Sequence, residues 1–254
     1  MAQILKDEVA IITGAGRGIG KAYALRFAEE GAKLLLPDIG LERAEGVAKE
    51  IRDNGGEAVA METDVSDESD TKKMAEKVMQ LYGRVDILVN NAAMFYGLET
   101  KPWDIRTVEE WDQMFAVNVR GTWLCCKAIA PLMVKQSRGK IINISSDIIK
   151  QPNAHFLIHY ACSKVAIHAI TQCLARALGP SGINVNSIAP GLTKTEATTA
   201  RYPDKFFEDV ASAQSIPRPE QPADLVGTAV FLASKDSDFI TGQILYVDGG
   251  IYMP

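Results

Sequence analysis

Long apolar runs are missing from this 254-residue chain: no stretch reaches the roughly 18–20 residues a membrane-spanning helix needs. The opening MAQILKDEV also lacks the extended apolar segment of a secretion signal, so a cytoplasmic protein with no membrane partner is expected. Cysteine is scarce. Of the four, Cys125 and Cys126 are adjacent while Cys162 and Cys173 stand apart, a spacing that fits neither a metal site nor a disulfide framework. They are expected as small buried hydrophobes in reducing surroundings. Neither charge dominates. With 27 Lys+Arg against 32 Asp+Glu, the net charge of −5 gives no reason to expect a nucleic acid or an anionic surface as partner. Internal repeats, low-complexity tracts and clear linkers are missing too, which points to one domain over residues 1–254.

What the chain does contain is regular alternation. Hydrophobic content of 47% and charged content of 23% are ordinary for a globular protein, and 27.6 kDa suffices for a substantial core. Strand-like runs are expected near 8–13, 33–38, 57–63, 85–90, 139–145, 183–189 and 243–248. Helical patterns are expected near 18–30, 41–54, 67–82, 107–135, 156–178 and 222–234. Strands alternating with helices read as βαβ units, hence an α/β fold with a seven-stranded parallel sheet and helices on both faces. Only Leu192 to Gln221 shows no clear periodicity. A long irregular connection in a compact domain is usually functional, and this one follows the sixth strand, at the edge where such sheets bind ligands. A substrate lid near 192–221 is therefore expected.

Three local patterns carry chemistry. The apolar run Val9–Thr13 is followed by Gly14-Ala-Gly-Arg-Gly18-Ile-Gly20 and a helical pattern. A strand, a glycine turn and a helix N-terminus form an anion site, because free backbone N–H groups point outward along the positive end of the helix dipole. The Gly20-Lys21 pair is followed by Ala22, so the segment is not a P-loop. Some twenty residues on, Lys33–Asp38 ends a second apolar strand in an acid. An acid there suits the ribose hydroxyls of NAD and repels the 2′-phosphate of NADP; it also suits capping of the next helix. Third, Tyr160 and Lys164 lie four residues apart, on one face of a helix, shortly after Ser145-Ser146. A lysine ammonium beside a phenol lowers its pKa from about 10, toward the useful range for acid–base catalysis.

Together these segments resemble the short-chain dehydrogenase/reductase family over nearly the whole chain. The likeness rests on Thr13-Gly-x-x-x-Gly-Ile-Gly20, Asp64-Val65, Asn90-Asn-Ala-Ala93, Asn118 in FAVNVRG, Asn143-Ile-Ser-Ser146, Tyr160-x-x-x-Lys164, Asn186-Ser-Ile-Ala-Pro-Gly191 and the terminal Ile240-Thr-Gly-Gln with Val-Asp-Gly-Gly250. The resemblance implies a doubly wound Rossmann-type domain. It assigns Tyr160 as the acid–base group and Lys164 as its pKa-lowering partner and holder of the nicotinamide ribose. Ser146 becomes the residue that bonds the substrate oxygen, Ser145 being the weaker candidate, and Asn118 the holder of a proton-relaying water. NAD is the implied cofactor. Gly14, Arg17, Gly18, Ile19 and Gly20 would surround its pyrophosphate and Asp38 its adenosine ribose. Asp64 and Val65 would flank the adenine, Asn90 and Ala92 the sugar–phosphate path, and Pro190, Gly191, Thr193 and Thr195 the nicotinamide. Arg17 can also assist a 2′-phosphate, which works against Asp38. A homotetramer built on helices 107–135 and 156–178 is implied, and no metal.

Two departures from the family pattern stand out. Tyr160 lies fourteen positions after Ser146, one more than is typical, and 147–159 lacks the usual glycine. Ala93 replaces a glycine after Asn-Asn-Ala. The expected pocket is framed by Phe95, Tyr96, Asp147, Ile148, His155 and Leu192, with Phe206 and Phe207 from the lid. This apolar and aromatic set suits a hydrophobic or aryl secondary alcohol or ketone as the small-molecule substrate. Reduction of a 3-oxoacyl thioester is the alternative, with Lys150, His155 or His159 meeting its polar end. A non-catalytic binding module is a third reading, against which the intact Asn118, Ser146, Tyr160 and Lys164 set counts.

Overall fold

The computed structural model describes residues 3–253; residues 1–2 and 254 lie outside that range. β1 (Val9–Ile12) leads to α1 (Gly18–Glu29), β2 (Lys33–Asp38) to α2 (Leu41–Asp53), and β3 (Glu57–Glu62) to α3 (Glu68–Tyr82). β4 (Ile87–Asn90) is followed by α4 (Val108–Phe115) and α5 (Thr122–Gln136), and β5 (Gly139–Ile144) by α6 (Ile158–Leu178). After β6 (Ile183–Pro190) come α7 (Glu196–Thr199), α8 (Asp204–Ser212) and α9 (Pro222–Ala233), then β7 (Ile244–Val247). The seven strands pair in parallel in the order β3-β2-β1-β4-β5-β6-β7.

The sheet is covered on both faces, which is why its central strands are apolar throughout. Along β1, Val9 and Ile11 pack toward Met74 and Val78 of α3 and Ile129 and Met133 of α5. Ala10 and Ile12 face the other way, against Tyr23 and Phe27 of α1 and Leu225 and Ala229 of α9. The two clusters are the halves of a core split by the sheet. Helix ends follow local chemistry: Asp67 caps α3 by accepting from Ser69 N and Asp70 N, and Gly83 ends that helix at φ 70°.

Structure and sequence differ at three places. The expected helix 107–135 is interrupted by a π-helical turn, Ala116–Gly121, between α4 and α5. The segment 192–221, expected to be irregular, contains α7 and α8. Thr195 and Thr198 cap α7 reciprocally, and Phe207 and Ala211 of α8 are buried at i,i+4 spacing. The cysteines were expected to be buried; Cys125 and Cys126 are, but Cys162 is half-buried and Cys173 exposed, because the latter two fall off the sheet-facing stripe of α6.

Candidate active site

Strand order reverses direction of growth between β1 and β4, and at such a switch point the loops leaving the strands part to form a crevice. The glycine turn leaves β1 there, opposite Asn91 and Ala92 beyond β4. Asn91 Nδ2 donates to the carbonyls of Thr13 and Gly14, at 3.0 and 3.1 Å, and pins the turn to the neighbouring loop. Gly14 has φ 65°, and a Cβ on it would stand 2.9 Å from Ala92 Cα; one on Gly20 would strike the Gly14 carbonyl. This close backbone approach, opening on the N-terminus of α1, fits a pyrophosphate. At the end of β2, Asp38 is 4% exposed, and its carboxylate accepts from Gly16 N and Gly40 N, each at 2.9 Å. It is not the cap of α2: the N-cap residue is Gly40, and no side chain caps that helix.

From this end a cleft of about 340 Å³ runs past the carboxyl ends of β4, β5 and β6. Ser146, Tyr160 and Lys164 line it together. β5 delivers Ser146, and α6 carries Tyr160 and Lys164 on one face. Lys164 Nζ donates to Ile144 O at 2.8 Å, tying helix to strand, and lies 5.6 Å from the centre of the Tyr160 ring. With three N–H donors, the ammonium keeps two for other partners. Burial lowers the Lys164 pKa to about 8. Burial also raises the Tyr160 phenol well above its usual value, with the neighbouring Ser146 hydroxyl pulling the other way and Asp147 adding to the rise. The lowering expected from Lys164 is not found: desolvation sets the direction, and Lys164 is not among the groups that shift this phenol. Phe95 packs edge-on against the Tyr160 ring at 5.2 Å.

Asn118 sits on the π-helical turn, buried and outside the cleft lining. Its Oδ1 accepts from Met94 N at 2.8 Å, and its Nδ2 donates to Ser163 Oγ at 3.0 Å. Ser163 Oγ in turn donates to Tyr160 O at 2.7 Å. The side chain therefore braces the loop after β4 against the turn of α6 that bears Tyr160. Ser145 directs its hydroxyl to α6, at 3.1 Å from Lys164 O and 2.6 Å from His168 Nε2.

Most of the expected binding residues line the cleft: Gly14, Arg17, Gly18, Ile19, Gly20, Asp38, Asp64, Val65, Ala92, Pro190, Gly191, Thr193 and Thr195, and on the substrate side Phe95, Tyr96, Asp147, Ile148 and Leu192. Asn90 and His155 do not. Asn90 points into the sheet and donates to Asn143 Oδ1 at 2.9 Å, leaving the lining to Asn91. One strand position separates the two, and alternation sends them to opposite sides. His155 is exposed and leans on Phe156, Lys150 is exposed near Tyr252, and His159 is buried behind the cleft. Arg17 holds its guanidinium 4.3 Å above the Tyr96 ring rather than facing Asp38. Leu157, within the expected 155–159 segment, and Tyr202 and Val210, within the expected lid, also line the cleft, as do three residues not expected there: Arg43, Gln151 and Asn153. Tyr202 stacks on Phe206 at 4.4 Å and closes the apolar wall. Among the described residues no cluster suited to a metal ion is found, and no helix is long and apolar enough to cross a membrane.

A family model described as enoyl-(acyl carrier protein) reductase matches residues 14–252. Galactitol 2-dehydrogenase of Agrobacterium fabrum is 40% identical, over 98% of this chain and 99% of its own length. The 3-oxoacyl-(acyl-carrier-protein) reductase of Thermotoga maritima is 36% identical, over 97% and 98%. Among solved structures, a 7α-hydroxysteroid dehydrogenase complexed with NADH and 7-oxo glycochenodeoxycholic acid superposes with a TM-score of 0.92 at 35% identity, covering 98% of this chain and 95% of that one. A 3-oxoacyl-(acyl-carrier protein) reductase with bound NAD from Brucella melitensis gives 0.89 at 33%, covering 100% and 94%.

Proposed function

The chain belongs to the short-chain dehydrogenase/reductase family, and from that membership we propose that it moves a hydride between NAD(H) and a secondary alcohol or ketone with an apolar or aromatic body. The observation that carries this reading is the convergence of Ser146, Tyr160 and Lys164 on the same cleft as the glycine turn and Asp38. The bound nicotinamide supplies or accepts the hydride. In reduction the Tyr160 hydroxyl gives its proton to the substrate oxygen, and in oxidation the phenolate takes it. The Ser146 hydroxyl donates to that oxygen and steadies developing charge. The two free N–H groups of Lys164 hold the nicotinamide ribose, and its cation favours the phenolate once the site fills. Asn118 holds Met94 and Ser163 in register, and a water beside it relays protons from Lys164.

Support for the substrate class comes from the wall of the cleft. Phe95, Ile148, Leu157, Tyr202, Phe206 and Val210 are apolar or aromatic, and each buried methylene is worth about 0.8 kcal/mol. Segment 192–221 acts as the lid. Thioester reduction is the second reading, favoured by the names of the acyl-carrier-protein reductases among the relatives. The positions of Lys150, His155 and His159, none of which lines the cleft, weigh against it. We infer a homotetramer through α4, α5 and α6, whose outer face exposes Val108, Trp123 and Val165, and a cytoplasmic location, which suits four unpaired cysteines. The test is a matched series of aryl-alkyl ketones, cyclic ketones and acetoacetyl thioesters with NADH. Ketones should be the faster substrates; a thioester faster by tenfold or more replaces this reading with the second.

A further inference from the structure

The ribose end of the cleft holds a residue whose place is unusual for its charge. Arg43 is the third residue of α2, within the first turn, where the helix dipole disfavours a cation. It is held there by Asp38: Arg43 Nη2 lies 2.5 Å from Asp38 Oδ1, with the carboxylate side chain 3% exposed and the arginine 37% exposed. The guanidinium spans the gap between the glycine turn and the turn after β2. A Cβ on Gly40 would stand 2.6 Å from Arg43 Cζ, and one on Gly16 would strike Arg43 Cγ. Both turns thus lack side chains where the arginine lies. Arg43 Nε is buried and has no hydrogen-bond partner among the described residues, and the residue lines the cleft beside Asp38.

An acid alone at the end of β2 rejects a 2′-phosphate by like charge. Here the acid is not alone. One carboxylate and one guanidinium in contact sum to no net charge, and Asp38 spends three acceptor positions on Gly16 N, Gly40 N and Arg43. A guanidinium has five N–H donors in a planar fork matched to phosphate; Asp38 engages one. Arg17, the other arginine of the region, is turned toward Tyr96. We propose that Arg43 is a specificity-determining residue of the dinucleotide site: by neutralising Asp38 and offering its free donors, it lets the cleft take the 2′-phosphorylated dinucleotide alongside NAD(H). The discrimination between the two is then about thirtyfold or less, roughly 2 kcal/mol. This rests on the dinucleotide reading above and sharpens it.

Fluorescence titration of NADH and of NADPH into the wild-type protein, Arg43→Ala, Arg43→Lys and Arg17→Ala tests the idea without turnover. Melting curves check that each variant is folded. Arg43→Ala should weaken NADPH by about tenfold or more, the usual cost of a lost hydrogen bond to a charged group, and change NADH by less than about threefold. Arg43→Lys should recover part of the NADPH affinity, while Arg17→Ala leaves the ratio of the two affinities unchanged. Equal effects of Arg43→Ala on both dinucleotides, a ratio set by Arg17 instead, or a wild-type protein that binds NADH but rejects NADPH would each overturn the proposal and leave the dehydrogenase reading standing. Binding of neither dinucleotide overturns both.

Discussion

At the scale of single residues, the site turns on a phenol that its surroundings push the wrong way for a base. Burial raises Tyr160 and lowers Lys164 to about 8. The resting site therefore holds the proton on oxygen, ready to be donated, and alcohol oxidation requires that it be lost. Oxidation should accordingly quicken from pH 7 to pH 10, whereas ketone reduction should not; kcat/KM profiles in both directions check this, and an oxidation rate falling over that range contradicts it. Tyr160→Phe removes only the proton-carrying oxygen. It should lower turnover by about 10²-fold or more, the usual worth of acid–base catalysis, while NADH titration stays near wild type. A variant that keeps a tenth of the rate would remove Tyr160 from the role. These residues were legible in the sequence because their spacing maps directly onto one helix face. Arg43 was not: its partner lies across a strand end and a turn, and only tertiary geometry brings the two charges together.

Elements were legible where their periodicity was long and obscure where it was broken. The strands and α1, α2, α3, α6 and α9 lie within a few residues of their sequence expectations, because each buries one continuous stripe against the sheet. The π-helical turn was invisible: one extra residue per turn between α4 and α5 leaves the apolar pattern almost intact. It places Gly121 where a Cβ would sit 2.8 Å from Val65 Cγ2, and it aims Asn118 at Ser163. The helices α7 and α8 were missed because threonines and a proline dilute their pattern, and the contacts that seat them come from far away. Arg201 Nη1 donates to Leu98 O at 2.6 Å, and its guanidinium lies 5.0 Å from the Tyr202 ring. Arg201→Ala should therefore loosen this segment, raising KM for the alcohol severalfold with a smaller change in kcat, and speeding proteolytic cleavage between residues 192 and 221. Limited proteolysis with and without NADH reads this directly. Equal cleavage of wild type and variant would mean that Arg201 does not hold this segment.

For the whole molecule, two buried carboxyls, Asp147 in the cleft lining and Glu220 behind it, set a pH dependence of folding. Asp147 and Glu220 are both nearly inaccessible. Glu220 accepts from Thr193 Oγ1 at 2.8 Å and from Gly191 N at 3.1 Å, holding the segment that leaves β6. Burial, with repulsion from Asp147, raises Glu220 to about 8; burial, with repulsion from Asp248, raises Asp147 to about 7. An unfolded chain releases these protons near pH 4. Between that point and pH 7–8 the folded state binds more protons than the unfolded one, so stability falls as pH rises. His159 acts in the opposite sense: burial lowers it to about 4, so the unfolded state alone takes up that proton below about 6.5, and stability gains as pH climbs to that value. His168 is lowered by burial too and acts in the same sense, and Lys164, lowered to about 8, opposes the carboxyls as pH approaches that value, so the carboxyls dominate from about pH 6.5 to about 7.5. Over that interval the melting temperature of the wild-type protein, free of dinucleotide, should fall. Glu220 can supply at most about 1.4 kcal/mol per pH unit, and a chain of this size shifts by about 2–4 °C per kcal/mol. Glu220→Gln, which keeps the size and one of the two hydrogen bonds, should flatten that fall by several degrees even if it melts lower at pH 6.5. Parallel melting profiles for the two proteins across the interval would show that Glu220 is already ionised in the folded state, and that its hydrogen bonds to Thr193 and Gly191 outweigh its burial.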